Sequence, residues 1–140
     1  MFFCLLIGIS GFIAYRDLVE RRIGNWPVFF IVLFSILISG LESFSWQPYL
    51  FVVFAGLILF KINAFAGGDI KLVWAYLLGI DQQWWSVVFL LITGLGGVMA
   101  VGYLAYGYFT KNLEAVRKRG LPYGVPIAIG GCLGVWLSSV

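Results

Sequence analysis

Six apolar runs separated by short polar segments make up nearly the whole chain. Long apolar runs that lack the strict alternation of a half-buried strand indicate helices. The pattern therefore predicts an all-α fold, with six helices in a single domain over residues 1–140. The predicted helices run from Met1 to about Tyr15, Trp26 to about Gly40, Pro48 to about Phe60, Asp69 to Ile80, Trp84 to about Phe109, and Pro122 to the C-terminus.

The composition excludes the class of soluble globular proteins. Hydrophobic residues are 62% of the chain and charged residues are 11%, whereas soluble domains contain about 25% charged residues. A soluble fold with so little charge would expose far more apolar surface than a monomer tolerates. We therefore expect a polytopic membrane protein whose partner is the lipid bilayer.

The basic residues lie between the apolar runs, so they predict membrane topology rather than nucleic-acid binding, although the net charge is +3. With the N-terminus outside, the inner loops are 16–26, 61–71 and 110–121, and the outer turns carry only Glu42 and Asp81. The positive-inside rule then predicts six transmembrane helices with N- and C-termini outside. All nine basic residues fall in the inner loops: Arg16, Arg21, Arg22, Lys61, Lys71, Lys111, Arg117, Lys118 and Arg119.

Small residues spaced four apart predict close contacts between the helices. Such spacing lets two backbones approach in a membrane, where lipid provides no hydrophobic drive for helices to pack. The pairs are Thr93/Gly97, Gly96/Ala100, Gly124/Ala128 and Gly130/Gly134.

Two aspartates, Asp17 and Asp69, fall at the inner ends of the first and fourth predicted helices. A carboxylate at the bilayer centre costs about 2.5–3.5 kcal/mol even on lenient insertion scales, so intramembrane acids are candidates for a functional site. If the two meet, their like charges oppose joint ionisation and one proton is shared. Such a pair hydrolyses peptide bonds, because one carboxylate takes a proton from water while the other polarises the carbonyl.

The remaining residues disfavour other hydrolytic sites. The sequence has no His, which excludes Ser-His and Cys-His pairs and the H-E-x-x-H zinc motif. A Ser-Lys pair is disfavoured because Ser43, Ser45 and Ser86 are predicted on the side opposite the lysines. Cys4 and Cys132 lie inside apolar runs without a C-x-x-C motif, so neither a metal site nor a disulfide framework is predicted. We expect no cofactor.

Three stretches resemble the type IV prepilin peptidases, a family of membrane aspartic proteases. The stretch AGGDIK at residues 66–71 is similar to their G-x-G-D-x-K motif, with Asp69 at the catalytic position. The stretch DLVERRIGN at 17–25 is similar to their other catalytic segment, an Asp followed by basic residues and I-P-N, and LPYGVP at 121–126 to the Pro-aromatic-Gly segment that opens their last helix. The three occur in the family's order.

Two positions depart from the family pattern. Ala66 replaces the usual first glycine, and Gly24 replaces the proline before Asn25. Alanine keeps the first position small, whereas glycine makes the first loop looser than proline would.

The resemblance implies an intramembrane aspartic endopeptidase that removes the basic leader peptide from prepilins at the cytosolic face of a bacterial inner membrane. It implies that Asp17 and Asp69 are catalytic. Lys71 is expected either to reach the lipid headgroups or to stabilise the ionised aspartate. Asn25 is expected either to cap the second helix or to orient a loop or the water through its amide. The supporting residues are Gly67, Gly68, Lys71 and Asn25.

The chain resembles the short form of the family, associated with tight-adherence and Flp-type pili. We expect it to lack the N-terminal cytosolic segment and the paired C-x-x-C motifs of the longer members, many of which also N-methylate the new pilin terminus. Leader cleavage is therefore expected, and methylation is left open.

Other functions stay open at this stage. A different protease of the wider G-x-G-D group is one, either an archaeal preflagellin-type or a signal-peptide-peptidase-like enzyme. The latter is expected to have more spans and a tyrosine just before its first aspartate, which Tyr15, two residues before Asp17, does not fit. A proton-coupled transporter component would use the two aspartates as a relay. A non-catalytic scaffold for pilus or secretion assembly is a third alternative.

Overall fold

The computed structural model describes residues 1–40, 46–63, 65–114, 118 and 120–140, and their ordered elements are all helical. This confirms the all-α prediction. A single 3₁₀ turn, Gln82–Trp84, leads into the fifth helix. The α-helices are α1 (Phe2–Glu20), α2 (Asn25–Ser39), α3 (Trp46–Lys61), α4 (Gly67–Leu77), α5 (Trp85–Phe109) and α6 (Gly124–Ser139).

The first helix is longer than the sequence predicted, which changes the position of Asp17. The first helix was predicted to end at about Tyr15, but α1 continues to Glu20 because no residue between them breaks a helix. The helix ends at Arg21, which adopts a left-handed conformation with φ 56° and donates its backbone N–H to the Asp17 carbonyl oxygen at 3.2 Å. Asp17 therefore lies in the last turn of a regular helix.

The fourth helix is shifted toward the N-terminus relative to its predicted bounds. It begins at Gly67 rather than at Asp69, so Asp69 lies in its first turn, and it ends at Leu77. Past that point the backbone N–H groups of Gly79 and Ile80 bond to carbonyls three residues earlier. Such tight bonds close the end of a helix.

The last helix, α6, is the centre of the bundle. It packs against α1, α4 and α5, and less extensively against α2. Glycine makes this closeness possible, because a Cβ atom at Gly130 would lie 2.7 Å from Ile92 Cγ1 and one at Gly134 would lie 2.6 Å from Ile80 Cδ1. These contacts confirm the prediction of close packing at that pair. At Gly97, by contrast, no described atom outside its own helix backbone lies within 4 Å of such a Cβ.

Large apolar side chains cover much of the outer surface of the bundle, including Phe51, Leu90 and Val98. Two helical stretches, Phe2–Glu20 and Gln82–Phe109, are long and apolar enough to cross a membrane. The first has 19 residues, or about 28 Å at 1.5 Å per residue. Helices α2, α3 and α6 are apolar but shorter. The crossing of the bilayer by all six helices stays a prediction.

The three predicted inner loops meet at one end of the bundle. Residues from 16–26, 61–71 and 110–121 line the same cavity. This agrees with the shared end that the charge pattern predicts. Glu42, Arg117 and Arg119, which entered the charge argument, lie outside the described residues.

Candidate active site

Asp17 is a buried carboxylate that is held by the start of the last helix. Its side chain is 6% exposed, and its Oδ2 atom accepts a hydrogen bond of 2.8 Å from the backbone N–H of Gly124. A Cβ atom on residue 124 would lie 2.8 Å from that oxygen. Glycine is therefore what allows α6 to begin against the carboxylate. The positive end of the helix dipole there favours a negative charge.

Asp69 is equally buried, at 6% exposure, in the first turn of α4. The paired glycines before it let the helix start between two neighbours: a Cβ at Gly67 would lie 3.1 Å from Phe60 Cε2, and one at Gly68 would lie 3.1 Å from Ile23 Cβ. Unlike Asp17, the Asp69 carboxylate has no hydrogen-bond donor among the described residues. Its position is set by the helix rather than by a tether.

The two aspartates line one cavity of about 960 Å³ and interact electrostatically. The sequence places them 52 residues apart, and the fold brings them together through the contacts of α6 with both α1 and α4. The cavity walls combine charged groups from the first loop with Phe65, Tyr103 and Tyr123. This is a space large enough for a peptide segment, with two acids on its wall.

A third charged group, Arg21, acts on both carboxylates. It also lines the cavity, and its guanidinium carbon lies 5.6 Å from the centre of the Tyr103 ring on α5, which is a cation–π contact. The sequence analysis used Arg21 as a topology signal and as one of the basic residues that follow Asp17, and it did not predict that Arg21 contacts the site. Its spacing of four residues from Asp17 places it near that acid once α1 is known to continue past Asp17.

The predicted supporting residues divide between two places. Gly68 and Asn25 line the cavity with the aspartates, whereas Gly67 packs on Phe60 as described. Lys71 is exposed and lines a separate groove of about 400 Å³ between α2, α3 and α4, which Asn25 also borders. The structure does not bring Lys71 to the cavity that holds the two acids.

The cap expected at Asn25 is wrong. Helix α2 begins at Asn25 itself, the capping position is Gly24 with an extended backbone, and no side chain caps the helix. Since α2 starts one residue earlier than the sequence indicated, the Asn25 side chain leaves from the first turn and not from the cap. Within the described ranges, no three His, Cys, Asp or Glu side chains gather as a metal-binding group.

The sequence of this chain is similar to that of a known protein family. The model of the type IV leader peptidase family matches residues 4–101, a stretch that includes both Asp17 and Asp69. A curated protein of Bacillus subtilis (strain 168), the uncharacterised glycosyltransferase YkoT, is 28% identical over 122 residues, which cover 87% of this chain and 36% of that protein. This chain thus spans about a third of that relative's length. No solved structure matches. Because the family match covers more than half of the chain, the protein belongs to the type IV leader peptidase family.

Proposed function

We propose that the protein is an intramembrane aspartic endopeptidase that cleaves the basic leader from prepilins, with Asp17 and Asp69 as its catalytic pair. The observation that carries the proposal is that both buried carboxylates line one cavity at the end of the bundle where the basic loops gather. The family match supports the peptidase class. The cleavage site of a prepilin, between a basic leader and an apolar helix, would then lie at the membrane surface.

The surroundings of the two acids suggest how they divide the work. The N–H of Gly124 donates to Asp17, and a hydrogen bond to the charged form favours that form. In this scheme Asp17 is the base and Asp69 carries the shared proton. Water loses a proton to Asp17 as its oxygen attacks the scissile carbonyl carbon, while Asp69 gives its proton to the carbonyl oxygen.

Collapse of the tetrahedral intermediate completes the reaction. The bond between carbon and nitrogen breaks, and the proton held by Asp17 passes to the leaving amine. Asp69 recovers its proton from a hydroxyl group of the intermediate, which becomes the new carboxyl terminus. All protons are accounted for and both carboxylates return to their starting state.

The cleavage assay uses the purified full chain in liposomes with a prepilin that carries its leader. We expect Asp17→Asn and Asp69→Asn each to abolish cleavage, because asparagine keeps the shape of the side chain but does not share a proton. Asp81→Asn is the matched control, since Asp81 lies outside the cavity. Full activity of either cavity variant would exclude that aspartate from catalysis, and ion flux without cleavage would favour a proton relay instead.

The topology belongs to the same proposal: six spans with both termini outside in the bacterial inner membrane. We expect a cysteine introduced at Gln83 to react with a membrane-impermeant maleimide in spheroplasts. A cysteine introduced at Lys111 should react only after permeabilisation. Both are compared in a background with Cys4 and Cys132 replaced by alanine. The reverse labelling pattern would invert the orientation.

A further inference from the structure

The guanidinium of Arg21 is an unsatisfied group at the cavity wall. Its Nε, Nη1 and Nη2 atoms are all buried, and none has a hydrogen-bond partner within the described part of the chain. Buried polar groups in folded proteins are nearly always paired, so an unpaired one needs an explanation. An arginine brings five N–H donors in a planar fork. In Arg21 these donors are therefore available to a ligand that enters the cavity.

The backbone and the aromatic neighbour hold this guanidinium in place. Arg21 has φ 56°, a left-handed conformation that is uncommon for residues other than glycine. Its N–H caps α1 on the Asp17 carbonyl, and its guanidinium stacks on Tyr103. Two separate helices therefore fix where the donors lie. A surface cation that served only to orient the protein in the membrane would need neither contact.

The neighbouring charges do not use these donors. Glu20 already forms an ion pair with Arg16 on the same helix. Arg21 acts electrostatically on both aspartates, but it donates a hydrogen bond to neither. If the two acids share one proton they carry a single negative charge, and the fork of Arg21 stays available beside them.

We propose that Arg21 is a substrate-binding residue, whose guanidinium donates hydrogen bonds to an oxygen of the peptide substrate beside the scissile bond. The oxygen belongs either to a backbone carbonyl or to a side-chain carboxylate, and both offer the acceptor that the fork requires. This inference rests on the proposed protease function. It adds a third residue to the site, with binding rather than proton transfer as its task.

The test measures substrate binding without cleavage. A fluorescent prepilin peptide is titrated into the full chain in nanodiscs, in an Asp69→Asn background that does not turn over. We expect Arg21→Gln to raise Kd about 10- to 100-fold, the range for a lost hydrogen bond to a charged group. Arg21→Lys should fall between, because an ammonium keeps the charge but lacks the planar fork.

Lys111→Gln is the matched control. Lys111 is also basic and left-handed, with φ 54°, but it is exposed and lies outside the cavity. Its Kd should stay within about twofold of the parent, a free-energy change of less than about 0.5 kcal/mol. The thermal midpoint of each variant is recorded in the same nanodiscs. If Arg21→Gln binds the peptide weakly but keeps the thermal midpoint of the parent, the loss of affinity comes from a lost contact and not from unfolding.

A second peptide identifies the oxygen. Its Asp and Glu residues are replaced by Asn and Gln. If the effect of Arg21→Gln persists on this peptide, the acceptor is a backbone carbonyl, and if it disappears, the acceptor is a carboxylate. Both results support a substrate oxygen as the ligand.

Two outcomes would overturn the inference, and they are distinguishable. Unchanged Kd in Arg21→Gln, with a wild-type chain that cleaves prepilin, overturns the role of Arg21 alone. A wild-type chain that does not cleave prepilin overturns the proposed function and this inference with it.

Discussion

Two polar layers cross the same three helices, and they differ in whether their groups form hydrogen bonds with one another. We call the first the carboxylate layer, which consists of Asp17, Asp69 and Gly124. We call the second the deep layer, which lies seven residues away on α1 and α4 and eight on α6, or about two turns. The deep layer consists of Ser10, Tyr76 and Cys132.

In the deep layer the polar hydrogens all have acceptors. Ser10 donates its one hydroxyl hydrogen to the Leu6 carbonyl at 2.6 Å. Tyr76 therefore donates to Ser10 Oγ, and the thiol of Cys132 donates to the same oxygen at 3.1 Å. A serine oxygen has two lone pairs to accept them. This layer is closed, and it ties α1, α4 and α6 together.

In the carboxylate layer the acceptors and donors do not match. Gly124 supplies one bond to Asp17, but Asp69 has no donor among the described residues, and the nearby fork of Arg21 has no acceptor there. A half-satisfied buried network is unfavourable for stability. The deep layer is buried but fully paired, whereas the carboxylate layer combines burial with incomplete pairing around an open cavity, so the carboxylate layer is the candidate for chemistry.

Stability should depend most strongly on Gly131, the glycine that lets α6 pass the deep layer. A Cβ atom at Gly131 would lie 2.3 Å from Cγ of Tyr76. This Cγ atom joins a buried ring to its backbone, so it cannot shift to make room. We expect Gly131→Ala to lower the free energy of unfolding by about 3 kcal/mol, the upper end for overpacking. The midpoint of thermal denaturation in detergent measures it.

Gly102→Ala is the control for this change, since no described atom outside its own helix backbone lies within 4 Å of a Cβ there. It should leave the midpoint unchanged or raise it slightly, because alanine is the better helix former. An equally stable Gly131→Ala variant would mean that α6 does not pass this close to Tyr76.

The next effect is on the carboxylate layer and concerns activity. Gly124→Ala would place a Cβ 2.8 Å from Asp17 Oδ2 and 3.0 Å from Asp17 Cβ. The carboxylate must shift, and misplacement of a catalytic group by about 1 Å costs about 100-fold. We expect kcat for prepilin cleavage to fall between about 10- and 100-fold.

The thermal midpoint of Gly124→Ala distinguishes a shifted carboxylate from a destabilised fold. Because the Asp17 side chain borders a cavity and can give way, the thermal midpoint of Gly124→Ala should fall less than that of Gly131→Ala. Undiminished cleavage by this variant would show that the bond from Gly124 to Asp17 does not position the acid.

The sequence predicted what depends on residue type and local pattern. It indicated helices because apolar runs specify them, and it singled out Asp17 and Asp69 because an acid in an apolar segment is costly. Lys71 was expected either to reach the lipid headgroups or to stabilise the ionised aspartate, and the structure places it on a separate groove from Asp69.

What the sequence did not predict depends on contacts between distant segments. The bond between Gly124 and Asp17 joins residues 107 apart, and the contact between Ser10 and Tyr76 joins residues 66 apart. Nothing local distinguishes Ser10 from the other serines of the chain. The contact between Arg21 and Tyr103 was hidden for a related reason, because the position of Arg21 depends on where α1 ends.

A smaller effect is expected from the hydroxyl of the deep layer. Tyr76→Phe removes one hydrogen bond but leaves no buried group without a partner, since Ser10 still donates to Leu6. We expect a loss of about 1 kcal/mol in the free energy of unfolding, with kcat changed less than in Gly124→Ala. Tyr15→Phe, at a tyrosine that is 64% exposed, is the control. A fall in kcat as large as that of Gly124→Ala would instead indicate that the deep layer takes part in catalysis.

The smallest effect should come from the thiol. Cys132→Ala removes a weak S–H donor from Ser10 and opens little space, so we expect a loss of about 0.5 kcal/mol, the low end for a hydrogen bond. Cys132→Ser supplies a hydroxyl donor at the same point and should recover part of that loss, while Cys4→Ala, at an exposed cysteine, should change nothing. Recovery of stability by serine would indicate a hydrogen bond, because a purely apolar contact at residue 132 would be weakened by serine as much as by alanine. Thermal midpoints of the three variants, measured in one detergent, therefore decide whether the deep layer is closed by hydrogen bonds or by packing.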